Sequence, residues 1–171
     1  MKKSITLIGL LLLIYHPDTI MAQAGSDLSS LAARAERSLE KGIAYMQSLA
    51  IDGGYVYHYS LDGKEKWGEG KTDDRTIEVQ PPGTPAVGMS FLKAWRITKN
   101  EDFLKAAEDA ASALIRGQND LGGWEHKIYF DRPKRKIVSF DDNQTQSAIS
   151  FLMALDKDSD QAGVRGGLRQ A

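Results

Sequence analysis

The chain contains the stretch Leu114-Ile115-Arg116-Gly117-Gln118-Asn119-Asp120-Leu121-Gly122-Gly123-Trp124, which ends an alanine-rich amphipathic segment with two glycines and a tryptophan. An earlier stretch has the same order of a glutamine, a short spacer, a glycine pair and an aromatic ring, namely Gln47-Ser48-Leu49-Ala50-Ile51-Asp52-Gly53-Gly54-Tyr55. Glycine is favoured just after a helix because it adopts left-handed backbone without strain. Self-similarity at this scale is typical of repeat proteins. The two stretches therefore predict two helices that end in the same way.

Apolar periodicity predicts four helices. Residues 28–50 and 100–117 carry apolar side chains on one side only, which is typical of an outer layer. Residues 85–97 and 144–155 are apolar around much of their circumference, which indicates inner helices. Capping residues precede three of these helices and are expected to satisfy their first N–H groups: Thr84, Asn100, and the run Asp141-Asp142-Asn143.

The alternation of outer and inner helices predicts an all-α fold. Specifically, residues 25–156 are expected to form an incomplete α/α toroid of antiparallel helix pairs with short β-ribbons between the helices. The two-residue alternation of 55–59 and 124–130 predicts these ribbons, and the second is expected to form a hairpin with 137–140.

Two segments lack any period. Residues 64–82 predict a long loop, and loops of this length in a compact domain are usually functional. Residues 157–171 predict an irregular tail, so the last helix is expected to lack its outer partner and the toroid to be truncated. Exposure of Phe151, Leu152, Met153 and Leu155 would then make the fragment poorly stable.

Composition limits the class of protein. The 171 residues, 42% of them hydrophobic, fit one soluble globular domain or part of one. Lys+Arg 22 against Asp+Glu 23 gives no overall positive field, so no nucleic-acid partner is expected. The absence of cysteine excludes disulfides, zinc–thiolate sites and a cysteine nucleophile.

The N-terminus predicts export. Met1-Lys2-Lys3, the apolar run 5–15 and Ala22-Gln23-Ala24 together indicate a signal peptide over residues 1–24, with the mature chain beginning at Gly25. The alternative is an uncleaved interfacial anchor. We expect a secreted or periplasmic protein with no stable membrane anchor after cleavage.

Several motifs carry a family resemblance, which covers about residues 28–156. Gln118-x-x-x-Gly122-x-Trp124 resembles the turn motif of α/α toroids such as terpene cyclases. The chain also resembles the N-terminal part of secreted bacterial pectic acid lyase-like proteins, grouped with polysaccharide lyase family 10. The motifs that carry this second resemblance are Trp67-Gly68-Glu69-Gly70-Lys71, Val79-Gln80-Pro81-Pro82-Gly83-Thr84-Pro85, Arg116-Gly117-Gln118 and Phe140-Asp141-Asp142-Asn143-Gln144-Thr145-Gln146.

The resemblance implies a pectate lyase, an enzyme that cleaves polygalacturonate by β-elimination with calcium. The family's recognised catalytic arginine and calcium carboxylates lie largely in a later half of those proteins. A calcium ion would neutralise the uronate carboxylate and acidify the C5 proton. Asp141 and Asp142 are the candidate metal ligands, with helix capping as the alternative.

Arg75 is the candidate catalytic residue. An arginine of ordinary pKa, above about 12, cannot accept a proton, so neutralising the substrate carboxylate is its favoured role. The alternative is an ion pair that braces the loop through Asp73 or Asp74.

The candidate substrate-binding residues lie in the loop and in the second ribbon. Aromatic rings can stack on sugar faces, although rings after a glycine pair more often pack between helices. A neutral imidazole can relay protons or bind a metal, and the basic turn 132–136 can hold an anionic polymer, with a solvated surface turn as the alternative. The candidates are Trp67, Lys71, Gln80, Trp124 and His126.

Three functions remain open. The first is a lyase acting on an acidic polysaccharide or oligosaccharide, and the second is a non-catalytic module that binds acidic glycans in the toroid cleft. The third is a glycoside hydrolase on the same architecture, which would need two opposed carboxylates from among Glu69, Glu78, Glu125 and Asp142.

Overall fold

The computed structural model describes residues 17–159 and 162–170, and the chain divides into two compact units, Met1–Ser38 and Leu39–Ala171. Residues 1–16 of the predicted signal peptide lie outside the described residues. In the first unit, the described part is helical, and Leu28 and Leu31 of its predicted apolar stripe are exposed.

The described residues contain five α-helices and five short strands. The helices are α1 Pro17–Ser48, α2 Thr84–Thr98, α3 Glu101–Gly117, α4 Gln144–Asp156 and α5 Ala162–Gln170. The strands are β1 His58–Tyr59, β2 Lys66–Gly68, β3 Gly70–Lys71, β4 Thr76–Glu78 and β5 Lys127–Tyr129. The chain is thus mostly helical, as the sequence predicts.

The four predicted helices are confirmed. In α3, the Asn100 side chain accepts a hydrogen bond from the Asp102 backbone N–H at 3.0 Å, which is the predicted cap. The inner character of α2 agrees with its packing against both α3 and α4. The predicted cap on α4 is wrong in detail, because Asp141–Asn143 form a 3₁₀ turn and Asn143 makes no capping bond through its side chain.

The ribbons differ from the prediction. β5 does not pair with residues 137–140; it pairs antiparallel with β4, in the register Thr76–Tyr129, Ile77–Ile128 and Glu78–Lys127. The predicted loop 64–82 therefore contains β4, and it also contains β2 and β3, which form an antiparallel sheet in the order β1-β2-β3. A period could not be seen there because each strand has only two or three residues.

The tail predicted to be irregular contains α5. This helix packs against α4 and α3, and its Val164 is completely buried. Phe151, Leu152 and Leu155 of α4 are also completely buried, whereas Met153 is 52% exposed. The prediction that four apolar residues of α4 are exposed is therefore wrong for all of them except Met153. The glycines of α5 made its apolar periodicity hard to detect in the sequence.

Both glycine–aromatic stretches adopt the same local structure. Gly53 and Gly122 have φ of +86° and +82°, the left-handed region that glycine favours. The glycine that follows each of them lies against an apolar side chain, because a Cβ on Gly54 would clash with Ile77 and one on Gly123 would clash with Val138. The repeat predicted from sequence is thus a repeat in three dimensions.

A threonine of the next helix holds each aromatic residue by its backbone. Thr84 Oγ1 accepts from Tyr55 N at 2.9 Å and donates to Tyr55 O at 3.2 Å. Thr145 Oγ1 makes the same two contacts with Trp124, at 3.4 and 3.3 Å. Tyr55 and Trp124 are 2% and 1% exposed, so each ring fills the core beside the start of an inner helix. Thr84 therefore binds the Tyr55 backbone. The prediction that Thr84 caps α2 is wrong, because α2 has no side-chain capping bond.

Candidate functional site

Polar side chains converge where α2 and α4 begin. Strand β4 leads directly into the segment before α2, and Val79 N at its end donates to His126 O at 2.9 Å. Ser147 of α4 contacts the Val79 carbonyl oxygen at 3.4 Å. Val79, just before α2, therefore lies against the first turn of α4. We call the group Tyr57, Glu69, Glu78, His126, Lys127 and Gln144 the polar cluster.

Glu78 is the most buried acid of the polar cluster. Its side chain is fully buried, and its Oε1 accepts from Glu69 N at 3.2 Å and lies 3.2 Å from Lys127 Nζ. Gly68 passes so close that a Cβ there would clash with the carboxyl group. Burial raises the pKa of Glu78, although the Lys127 charge and the Glu69 N–H oppose the shift.

His126 connects the exposed and buried parts of the cluster. With the Gln144 amide nitrogen donating to His126 Nδ1, the ring proton lies on Nε2, which faces the Glu69 carboxylate at 2.6 Å. The two atoms are in close polar contact, but they lack hydrogen-bond geometry. The Glu69 side chain is 64% exposed and covers the cluster. Lys127 Nζ donates a hydrogen bond to the Glu69 carbonyl oxygen at 2.9 Å.

Five buried polar atoms in the described part of the chain have no hydrogen-bond partner. They are Tyr57 Oη, Glu78 Oε2, Gln80 Oε1, His126 Nε2 and Gln144 Oε1. Such atoms are rare in proteins, because each costs about 1–3 kcal/mol when it is left unpaired. All five belong to the polar cluster or to Gln80, two residues after Glu78.

Tyr57 stays protonated within this group. Burial raises its pKa first, and the negative charges of Glu78, Glu69 and Asp142 raise it further. The Tyr57 hydroxyl therefore keeps a proton that it can donate.

Arg75 lies elsewhere. It is at the other end of β4 from Val79, about 13 Å away along a strand. Its guanidinium pairs with Asp52 at 2.9 Å and lies 6.0 Å from the centre of the Phe130 ring. The loop-bracing alternative thus has the right chemistry but the wrong partner, since Arg75 contacts Asp73 through its backbone N–H, at 2.9 Å, and not through its guanidinium.

The other predicted residues separate into core and surface. Trp124 is buried and donates through Nε1 to Leu114 O at 2.8 Å, so no ring face is available to a sugar. Trp67 is 42% exposed, stacks on His58 at 5.5 Å and pairs across the strands with Lys71. Gln80 and His126 lie at the candidate site, where each has a buried side-chain atom without a hydrogen-bond partner.

Asp141 and Asp142 lie exposed on the 3₁₀ turn. The Asp142 N–H donates to Asp141 Oδ1 at 3.0 Å. No group of three or more His, Asp or Glu side chains in the described ranges could hold a metal ion. Calcium therefore stays a prediction from the resemblance.

Sequence reasoning did not select Gln144 or Lys127 as site residues. A glutamine at a helix start and a lysine in a strand have no distinctive spacing. Their roles come from the pairing of β5 with β4 and from the burial of the first turn of α4.

Comparisons with known proteins returned no match, since no protein-family model, no curated protein and no solved structure matches the chain. In residues 17–159 and 162–170, no helix is both long and apolar enough to cross a membrane.

Proposed function

We propose that the chain is part of an exported α/α toroid that binds a uronate-containing polysaccharide at the polar cluster and cleaves it by β-elimination. The toroid is supported by the alternation of α2 and α4 with α3 and α5, in which like helices pack on each other as well as on their sequence neighbours. The observation that carries the function is the group of five unpaired buried polar atoms at the starts of α2 and α4.

Sugar hydroxyls match these atoms because each hydroxyl both donates and accepts hydrogen bonds. A carboxylate is attracted by Lys127, by the proton on His126 Nε2, and by the positive ends of the α2 and α4 dipoles. Glu69 already places a carboxylate at His126, at 2.6 Å. In this proposal the uronate carboxylate displaces Glu69 and takes its place.

The cluster supplies the three groups that elimination needs. His126 and Lys127 hold the uronate carboxylate, which makes the C5 proton more acidic. Glu78 Oε2 accepts that proton, and its raised pKa makes the carboxylate a stronger base. Tyr57 Oη donates its proton to the leaving oxygen at C4 as the C4–O bond breaks. The product carries a C4–C5 double bond.

Hydrolysis is the second candidate, because the cluster holds two carboxyl groups in different environments. Glu78 is buried with a raised pKa, as suits a general acid, and Glu69 is exposed. In a hydrolase both carboxyl groups are required. In the proposed lyase, Glu69 only competes with the substrate.

The variant Glu69→Gln separates the two mechanisms. Under elimination, it removes the competing carboxylate, so the affinity for oligogalacturonate rises and unsaturated products, followed by their ultraviolet absorbance, form at least as fast. Under hydrolysis, it abolishes the formation of reducing ends, and no unsaturated product appears with either protein. Glu65→Gln is the matched control, since Glu65 is exposed and its side chain belongs to no part of the cluster.

Binding without any product from the wild-type chain would support the non-catalytic glycan-binding alternative. Absence of binding to both oligogalacturonate and neutral oligosaccharides would contradict the proposed function altogether.

A further inference from the structure

A basic cavity adjoins the polar cluster at Lys127. The cavity has a volume of about 480 Å³ and lies along β5, between the end of α3 and residues 132–135. We infer that this basic cavity binds a second acidic sugar unit of the same polymer, an inference that rests on the proposed function. Its lining carries a single carboxylate, Glu125, and five cationic side chains, those of Arg116, Lys127, Arg132, Lys134 and Arg135.

Three of these cationic side chains are not neutralised by a strong ion pair. Arg116 donates to the Asp52 carbonyl oxygen and Lys134 to the Gln118 carbonyl oxygen, and carbonyl oxygens carry no net charge. Arg132 lies 3.4 and 3.5 Å from the carboxylates of Asp131 and Asp73, whose side chains are 45% and 48% exposed. Exposed pairs of this kind are weak and are readily exchanged for another anion. The cavity is therefore a local positive site in a chain of net charge −1.

Aromatic rings give the basic cavity a surface for a sugar ring. Phe130 and Tyr129 line it and are only partly buried. The Arg132 guanidinium lies 4.4 Å from the centre of the Tyr129 ring, and that of Arg116 lies 5.3 Å from the centre of the Phe130 ring. Cation–π contacts of this kind fix each guanidinium group over its ring. A guanidinium held in this way fits a pyranose that carries a carboxylate, because its planar donor group can pair with the carboxylate.

Lys127 belongs to both sites. It lines the basic cavity, and its Nζ lies 3.2 Å from Glu78 Oε1 and 2.9 Å from the Glu69 carbonyl oxygen. A polymer bound at the polar cluster would thus meet the cavity at Lys127. The ligand class is an oligosaccharide with carboxylates on successive units, and its affinity should increase with length.

The test compares galacturonate dimers and hexamers by titration calorimetry, with wild type, Arg132→Gln and Lys136→Gln. Lys136 lies in the same basic segment but does not line the cavity, so its variant makes the same charge change as a control. We expect Arg132→Gln to weaken hexamer binding about tenfold and to leave dimer binding unchanged. Arg132→Lys should restore part of the loss, and Lys136→Gln should bind like wild type.

Equal hexamer affinity in wild type and Arg132→Gln would overturn the basic cavity as a subsite but leave the proposed function standing. Equal losses in Arg132→Gln and Lys136→Gln would also overturn it, since they would reflect general charge. If neither oligomer binds wild type, both proposals fail. Added salt is a second measurement, because screening should reduce hexamer affinity more steeply than dimer affinity.

Discussion

Each glycine–aromatic stretch, together with the threonine that holds it, forms a unit. The two units share the same backbone contacts and differ in the segment that follows the aromatic residue. In the first unit Glu78 N donates to Tyr55 O, and in the second Ser139 N donates to Trp124 O, at 2.9 and 2.8 Å. Each of these residues lies six positions before the threonine that holds the aromatic backbone, and the residue before each packs on the second glycine. The frame of the two units is therefore equivalent, residue by residue.

The two units differ in the length of one segment. It runs from the aromatic residue to the residue that donates to its carbonyl oxygen, which is Glu78 in the first unit and Ser139 in the second. That segment has 22 residues in the first unit, 56–77, and 14 in the second, 125–138. The longer segment holds β1, β2 and β3 and brings Glu69 over the polar cluster. The Ser139 side chain accepts from Asp141 N in its local turn, whereas the Glu78 side chain enters the polar cluster with an unpaired oxygen. The repeat thus builds the fold, and the departure from the repeat builds the site.

The largest effect on stability should come from removing the buried aromatic rings of the two units. Trp124→Ala and Tyr55→Ala each remove a buried ring and should destabilise the fold by about 3–5 kcal/mol. Trp124→Ala should cost more, because it also leaves the Leu114 carbonyl oxygen without its bond at 2.8 Å. Urea unfolding measures both. Trp67→Ala is the control and should change the free energy of unfolding by less than about 0.5 kcal/mol, since Trp67 is exposed. A Trp124→Ala chain as stable as Trp67→Ala would contradict the shared frame.

This frame is the part that the sequence predicts well. The glycine pair and its aromatic residue give a local signal, and helix periodicity places α2, α3 and α4. The sequence does not predict that β5 pairs with β4, because that pairing joins residues about fifty positions apart. Glu78, Lys127 and Gln144 meet through this pairing, so most of the candidate site could not be predicted. His126 and Gln80 were predicted from residue type alone.

A smaller effect should come from the two threonines. Thr84→Val and Thr145→Val keep the side-chain shape but leave the N–H group of an aromatic residue unpaired, which costs about 1–3 kcal/mol. The carbonyl oxygens of Tyr55 and Trp124 keep their bonds from Glu78 N and Ser139 N. Thr84→Val should cost more, because its contacts of 2.9 and 3.2 Å are shorter than those of 3.4 and 3.3 Å in the second unit. Chemical denaturation of the two variants checks the order. The reverse order would show that the second unit is the tighter one.

The pH dependence of stability should distinguish Glu78 from Ser139. Because burial raises the pKa of Glu78 in the folded state, the fold binds its proton more tightly than the unfolded chain does. Its contribution to stability is therefore present below the ordinary glutamate pKa of 4.5 and is lost as pH rises through the raised folded value. Glu78→Gln removes this loss, so its stability relative to wild type should increase with pH across that window.

The matched variant Ser139→Ala should keep a constant difference from wild type at every pH. Unfolding free energies of the three proteins, measured across the acid range, check both expectations. A Glu78→Gln difference that falls with rising pH would mean that pairing with Lys127 outweighs burial.

The central claim is that the unpaired atoms of the polar cluster are kept for a ligand, and Tyr57→Phe tests it most directly. Its hydroxyl has no partner in the described part of the chain, so removing it should stabilise the free protein by about 1 kcal/mol. Tyr59→Phe is the matched control, because the Tyr59 hydroxyl accepts from Val56 N at 3.0 Å and its loss should destabilise the fold.

The measurement is thermal unfolding of wild type, Tyr57→Phe and Tyr59→Phe, with and without oligogalacturonate. We predict that Tyr57→Phe melts above wild type without ligand and gains little from it. Tyr59→Phe should melt below wild type and gain as much from the ligand as wild type does. A Tyr57→Phe protein that is less stable than wild type and keeps the full ligand-induced shift would contradict the account.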